Sequence, residues 1–242
     1  MSGELRILGV AHGLLLGLVL ASPMIGPTIG PALLPWGVEA LFIIAAFQLR
    51  LADRRWEMRA GWRGWASHIR MAPARLVPWG GIAVVALMAD PEQAARAGAI
   101  LTAVLLGELL IYPVGANLLG RLPRRGLAGA ILLLLIGCGL GEPEQAGRLA
   151  VAFALGMAGC VFWMRGPDGE PRATALSAAC SIAAFALALL LPATARFALP
   201  AAILAATLTL AHMSVARRHP QHWRLPAGLH GLRWRLKGSE RS

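Results

Sequence analysis

One acidic residue, Glu108, lies near the middle of a long apolar run at residues 97–119. An ionisable side chain at that depth in a membrane is costly, so we treat it by default as a functional candidate. A desolvated carboxyl group suits proton coupling, cation binding or general acid–base chemistry. Tyr112 follows at i+4, within hydrogen-bonding reach on the same helical face, and Asn117 lies about one turn further on. The structural alternative is a protonated Glu108 that bonds a neighbouring helix.

Two further groups inside apolar runs could take part in a transport or proton site. If the second helix begins at Pro35, a favoured first position, Glu39 falls in its first turn, where the helix dipole stabilises a carboxylate at the outer interface. His12 in the first run could relay a proton, bind haem or bond a carbonyl. Haem binding would need a partner such as His212, and no sequence feature requires that pairing. We therefore predict neither a cofactor nor a metal.

Two basic stretches, residues 50–75 and the tail at 216–242, carry apolar residues at helical spacing beside arginines. Tryptophan and arginine beside an apolar stripe are typical of a helix that lies in the membrane interface, where guanidinium groups meet lipid phosphate. We therefore predict contacts with the bilayer and with anionic lipid headgroups, while a cytosolic partner stays an alternative. The candidate lipid-contacting residues are Arg59, Trp62, Arg63, Trp65, Arg233 and Arg235.

Composition places most of the chain in a bilayer. The 242 residues are 57% hydrophobic and only 14% charged, whereas soluble domains carry about 25% charged residues. The formal net charge of +11 could indicate nucleic-acid binding, but the basic residues are distributed as a membrane topology requires. The three cysteines, Cys138, Cys160 and Cys180, lie in apolar runs, so no disulfide framework is predicted.

The hydrophobic runs predict an all-α polytopic membrane protein with about eight transmembrane helices in four hairpins. With the N-terminus in the cytoplasm, the cytoplasmic segments hold 20 of the 23 basic residues, and the outer loops hold the other three, Arg96, Arg148 and Arg196. Because basic loops are retained on the inner side, we predict a bacterial inner (cytoplasmic) membrane location with both termini cytoplasmic. The predicted spans are residues 7–25, 32–49, 76–89, 97–119, 127–141, 149–164, 174–191 and 197–215.

A short acidic turn occurs twice, at residues 90–96 and 142–148, and a weaker copy follows at 192–196. A turn that recurs at similar intervals along the chain predicts a repeated supersecondary unit, here a hairpin of membrane helices. The runs at 76–89 and 127–141 occupy equivalent places in the repeat, are short and contain glycines. Short, glycine-interrupted segments at equivalent positions indicate a transporter binding site, or alternatively close helix packing through small residues.

For function, the sequence favours a small-solute or ion transporter, with Glu108 as the candidate group for coupling transport to protons. The first alternative is an integral subunit or assembly factor of a larger membrane complex, with membrane-protein partners or a homo-oligomer. The second is a membrane-embedded enzyme that modifies lipid, although the sequence shows no familiar catalytic motif, so an enzyme is the less favoured class. A transporter predicts a water-reachable route to Glu108, and a subunit predicts outward-facing apolar grooves.

Overall fold

The computed structural model describes residues 6–24, 29–53, 62–89, 94–142, 145–166 and 170–216. Within these ranges the chain is almost entirely helical, and we find no strand. Short 3-10 turns at Ser22–Met24 and Pro192–Thr194 precede α2 and α9. The helices are α1 (Arg6–Leu20), α2 (Ile29–Ala52), α3 (Trp62–Ala89), α4 (Ala94–Leu106), a π-helical turn (Gly107–Ile111), α5 (Tyr112–Arg121), α6 (Arg124–Leu140), α7 (Ala146–Met164), α8 (Pro171–Leu190) and α9 (Ala195–Ala216).

Five of the helical segments described are long and apolar enough to cross a membrane. They are Leu34–Ala52, Ala94–Arg121, Ala146–Met164, Pro171–Leu190 and Pro192–Val215. Several large apolar side chains are exposed on each of two of them, Ala94–Arg121 and Pro171–Leu190; Ile182 and Leu190 on α8, for example, are 71% and 79% exposed. Such a surface is compatible with insertion into a bilayer, where lipid replaces water as the solvent.

Helix α7 forms the centre of the bundle, since 72% of its span is buried, compared with 11% for α8. It packs most extensively against α2 and α6, and also contacts α4, α5 and α9. At Gly156 the backbones of α7 and α2 meet, and a Cβ there would lie 2.1 Å from the carbonyl oxygen of Ile43. Small residues allow this approach in membrane bundles.

Two predicted boundaries differ in the structure. Residues 62–75, predicted as part of a loop or as a separate interfacial helix, are the first half of α3 and continue into the third apolar run. The apolar part of this helix is Arg75–Met88. Helix α2 begins at Ile29 with Pro35 inside it, so Glu39 is not in a first turn. The helix extends about two turns before Pro35, and Pro31 lies in its first turn, where a missing N–H costs no helical hydrogen bond.

The two short glycine-containing runs are not alike. In α6, a Cβ at Gly137 would lie 3.2 Å from Val151, and one at Gly139 would fall inside the ring of Phe197. These glycines therefore serve close helix packing, which is the alternative to a binding site. In α3, a Cβ at Gly80 would meet nothing within 4 Å.

Candidate functional site

Glu108 lies in the π-helical turn Gly107–Ile111, which interrupts the helical stretch from Ala94 to Arg121. A π-turn inserts one extra residue, and such turns occur often at functional sites. The preceding glycine places the turn directly against α7, because a Cβ at Gly107 would lie 3.1 Å from the ring of Phe153. The turn is thus held between α7 and α3, with Glu108 only 5% exposed.

Arg75 of α3 binds the carboxylate of Glu108 side-on. Its Nε lies 3.2 Å from Oε1 and 3.1 Å from Oε2, and its Nη2 donates to Oε2 at 2.8 Å. The same Nη2 donates to the backbone oxygen of His68 at 3.1 Å. This charge-assisted, two-nitrogen contact is of the strong class for carboxylates. The sequence-based prediction of the site did not include Arg75.

His68, seven residues before Arg75 on α3, contacts the same group. Its Nε2 lies 3.1 Å from Oε2 of Glu108 and 3.0 Å from the backbone oxygen of that residue. Both partners are acceptors when Glu108 is ionised, so the tautomer with hydrogen on Nε2 satisfies them. His68 is 8% exposed and therefore belongs to the interior of the bundle.

Tyr112 extends the cluster towards the end of α2. Its ring stacks on that of His68, with centroids 4.5 Å apart and an angle of 11° between the planes. Its hydroxyl donates to Oδ2 of Asp53, the residue that follows α2. The predicted hydrogen bond from Tyr112 to Glu108 is replaced by this contact. The phenol is fully buried, so it needs an acceptor inside the protein.

We call Asp53, His68, Arg75, Glu108 and Tyr112 the polar cluster. It joins α2, α3 and the stretch around the π-turn by side chains that can exchange protons. Arg75 is more accessible than Glu108 or His68, with a side chain that is 29% exposed. A guanidinium does not give up its proton in proteins, so proton binding falls to the carboxylates, the imidazole or the phenol. The arrangement can therefore bind and pass protons, and can expose a fixed positive charge.

Burial raises the pKa of Asp53, and the electrostatic effects of His68, Arg50 and Arg75 offset this only in part. A raised pKa means that the folded protein favours the protonated acid. Stability from this group is then fully present below the usual pKa of aspartate and is lost as the pH rises through the raised value.

We therefore expect Asp53→Asn to remove a pH-dependent loss of stability, because the amide oxygen can still accept from Tyr112. The unfolding midpoint of the variant relative to wild type should increase from acid to neutral pH. Thermal unfolding in detergent across that range measures the difference. A difference that stays constant with pH would show that Asp53 does not titrate between the folded and unfolded states.

A second buried ion pair joins α2 to α7. Arg148 donates from Nε and Nη2 to the two carboxylate oxygens of Glu39, both at 3.0 Å, and neither side chain is exposed. It also donates to the backbone oxygens of Gly141 and Arg196, at 3.0 Å and 3.2 Å. The guanidinium lies over the ring of Trp36, 5.2 Å from its centroid.

This pair corrects two predictions. Glu39 is not held by the dipole of a first helical turn, since it lies inside α2 and is completely buried against a guanidinium. Arg148, assigned by its place in the second acidic turn to an outer loop, is the third residue of α7 and 2% exposed. A buried carboxylate requires a positive partner, and the nearest helix start supplies it.

The remaining candidates lie apart from the polar cluster. Nδ1 of His12 lies 2.6 Å from Oε1 of Gln48, and the ring of His212 lies edge-on to Trp163 at 6.2 Å. Asn117 is exposed on α5. Among the lipid-contacting candidates, the side chains of Trp62, Arg63 and Trp65 and all of Arg59, Arg233 and Arg235 lie outside the described residues. No group of three or more potential metal-binding side chains occurs in the described ranges.

The comparisons with known proteins do not indicate a function. No family model matches the chain, and no curated protein or solved structure matches it. The polar cluster and the surfaces of the bundle are therefore the features that indicate what the protein does.

Proposed function

We propose that this multi-pass membrane protein is a proton-coupled transporter of a small solute or ion, with Glu108 as its proton-binding group. The observation that carries the proposal is the position of Glu108 in a π-helical turn, where it is buried yet bonded to Arg75 and His68. Buried ionisable groups at helix interruptions are the usual elements of proton pathways in membranes.

The polar cluster supports a route for the proton. Asp53 lies at the end of α2 and is bonded to Tyr112, whose ring stacks on His68, and His68 bonds Glu108. When Glu108 accepts a proton, its charge is lost, and the contact with Arg75 weakens because a neutral carboxyl group is a poorer acceptor. Protonation would thereby loosen the connection between α3 and the π-turn, leaving the bond from His68 to the backbone oxygen of Glu108. A contact that can be made and weakened in this way is what alternating access requires.

The topology proposed with this function has eight spans, tandem hairpin repeats and both termini in the cytoplasm of a bacterial inner membrane. The charge distribution of the loops supports that orientation. Asp53 and the start of the apolar part of α3, at Arg75, would then lie on the cytoplasmic side, so the cluster would open inwards. Binding of anionic lipid by the basic segments at 50–75 and 216–242 belongs to the same proposal.

A second candidate is an integral subunit of a larger membrane complex, or an assembly partner. The observation in its favour is the apolar groove between α1, α2, α8 and α9, with a volume of about 600 Å3 and a lining that includes Leu15, Trp36, Phe185 and Leu199. This is the outward-facing feature expected of a subunit. Mild detergent extraction from native membranes and size analysis distinguish a complex from a lone chain.

A membrane-embedded enzyme is less well supported, although five polar side chains converge. Glu108 already receives hydrogen bonds from Arg75 and His68, and Tyr112 donates to Asp53. The groups therefore satisfy one another, as in a switchable ion-pair network, whereas a catalytic site directs such groups at a substrate.

Infrared difference spectroscopy of the purified protein tests the proton-binding role. We expect a protonated-carboxyl band that grows as the pH is lowered and is absent from Glu108→Gln. The matched control is Glu142→Gln, which removes a carboxylate that is 57% exposed and pairs with Arg196 outside the cluster. If the wild-type and Glu108→Gln spectra respond to pH identically, Glu108 does not exchange protons, and the transporter proposal fails in this form.

A further inference from the structure

Glu108 binds the side chain of Arg75. A proton can neutralise Glu108, whereas the positive charge of Arg75 is fixed. Three of its contacts are made to the carboxylate, two from Nε and one from Nη2, with the shortest at 2.8 Å. Its Nη2 also donates to the backbone oxygen of His68, and this contact is independent of Glu108. A proton on Glu108 therefore leaves a guanidinium without its counter-charge, on a side chain that is only 29% exposed.

We propose that Arg75 then binds a small organic carboxylate, so that the solute moved with the proton is a monocarboxylate anion. This rests on the proton-binding role of Glu108 proposed above. The geometry favours a carboxylate because Nε and Nη2 already receive one side-on, and an incoming carboxylate can reproduce that planar contact. The 29% exposed surface of Arg75 gives the anion access. One proton and one anion enter together, so the net charge of the polar cluster with its bound anion stays unchanged.

The other charged and titratable groups around Glu108 decide which group competes with an incoming carboxylate for Arg75. Asp53 and Arg50 face the cluster from the end of α2, His68 and Arg75 face it from α3, and Tyr112 faces it from α5. The face of α7 that packs on the turn presents the apolar ring of Phe153. Asp53 is thus the internal carboxylate that could take the place of Glu108 on Arg75, and it is bonded to Tyr112.

Thermal unfolding of the purified chain in detergent tests this with lactate and formate as probes, against chloride at equal ionic strength. Glu108→Gln permanently removes the carboxylate, so we expect lactate or formate to raise its unfolding midpoint by about 2–4 °C at neutral pH, as ligand binding to the folded state does. The matched control, Glu108→Gln with Arg75→Gln, should show no rise above that in chloride. Adding Asp53→Asn to Glu108→Gln should increase the rise, because the internal competitor is gone.

Two results would overturn the carboxylate proposal. One is an equal response of Glu108→Gln to carboxylates and chloride; if Glu108 still titrates in the infrared, the proton-binding role survives this result. The other is stabilisation by inorganic phosphate alone, which would change the substrate class. Should Glu108→Gln not fold, the wild type carries the test with trifluoroacetate, a carboxylate that stays ionised in acid. Its stabilising effect above that of chloride must appear at acid pH and be lost towards neutral pH, and its absence at acid pH overturns the proposal.

Discussion

Replacing Arg148 with methionine is expected to cause a large loss of stability. Glu39 would remain buried with no positive partner, and removing one member of a buried ion pair costs about 3–5 kcal/mol. In a chain of this size that corresponds to a fall of roughly 6–20 °C in the unfolding midpoint. Thermal or denaturant unfolding in detergent measures the effect.

Two variants give that experiment its controls. Arg196 forms an ion pair with Glu142 in which both side chains are about half exposed, so Arg196→Met should cost at most about 1 kcal/mol. Its backbone oxygen, which accepts from Arg148, is retained. The double variant Glu39→Gln with Arg148→Met should recover much of the loss, because no uncompensated charge remains. Equal midpoints for Arg148→Met and Arg196→Met would show that the pair does not support the fold.

The case of Arg148 shows where sequence reasoning succeeds and where it stops. Hydropathy located the apolar runs, and helices occupy them, because a bilayer admits few other ways to satisfy the backbone. The same reasoning counted Arg148 among the outer-loop charges, since the sequence does not decide whether the last residue of a turn is buried or exposed. Only the packing of α7 against α2 decides the matter, and neither helix contains that information in its own sequence.

At the candidate site, too, the sequence predicted some residues of the polar cluster and missed others. Glu108 stood out because it is a charge inside a long apolar run, and Tyr112 because it follows at i+4. Asp53, His68 and Arg75 come from the basic stretch at 50–75, whose composition is equally typical of a solvated or interfacial segment. A search for a counter-charge to Glu108 could have pointed to Arg75, at the edge of the third run, because a buried carboxylate needs one.

Gly156→Ala is the second change with a large expected effect, and it tests the contact between α2 and α7, the two helices that the Glu39–Arg148 ion pair joins. A Cβ at this position would lie 2.1 Å from the carbonyl oxygen and 2.8 Å from the carbonyl carbon of Ile43. Both are backbone atoms, so no side-chain rotation relieves the overlap, and α2 must move away from α7. Overpacking of a closely packed core costs about 1–3 kcal/mol, and a backbone obstacle should place this variant at the upper end.

Gly147→Ala in the same helix is the matched control, because a Cβ there would meet nothing within 4 Å, and alanine favours a helix over glycine. We expect its unfolding midpoint to equal or slightly exceed that of the wild type, while that of Gly156→Ala falls by several degrees. Since α2 carries Glu39 and leads to Asp53, a displaced α2 should also weaken the contact between Asp53 and Tyr112. Gly156→Ala should therefore reduce the pH dependence that Asp53 confers on stability, whereas a stable Gly156→Ala protein with unchanged pH dependence would show that α2 and α7 do not meet at Ile43.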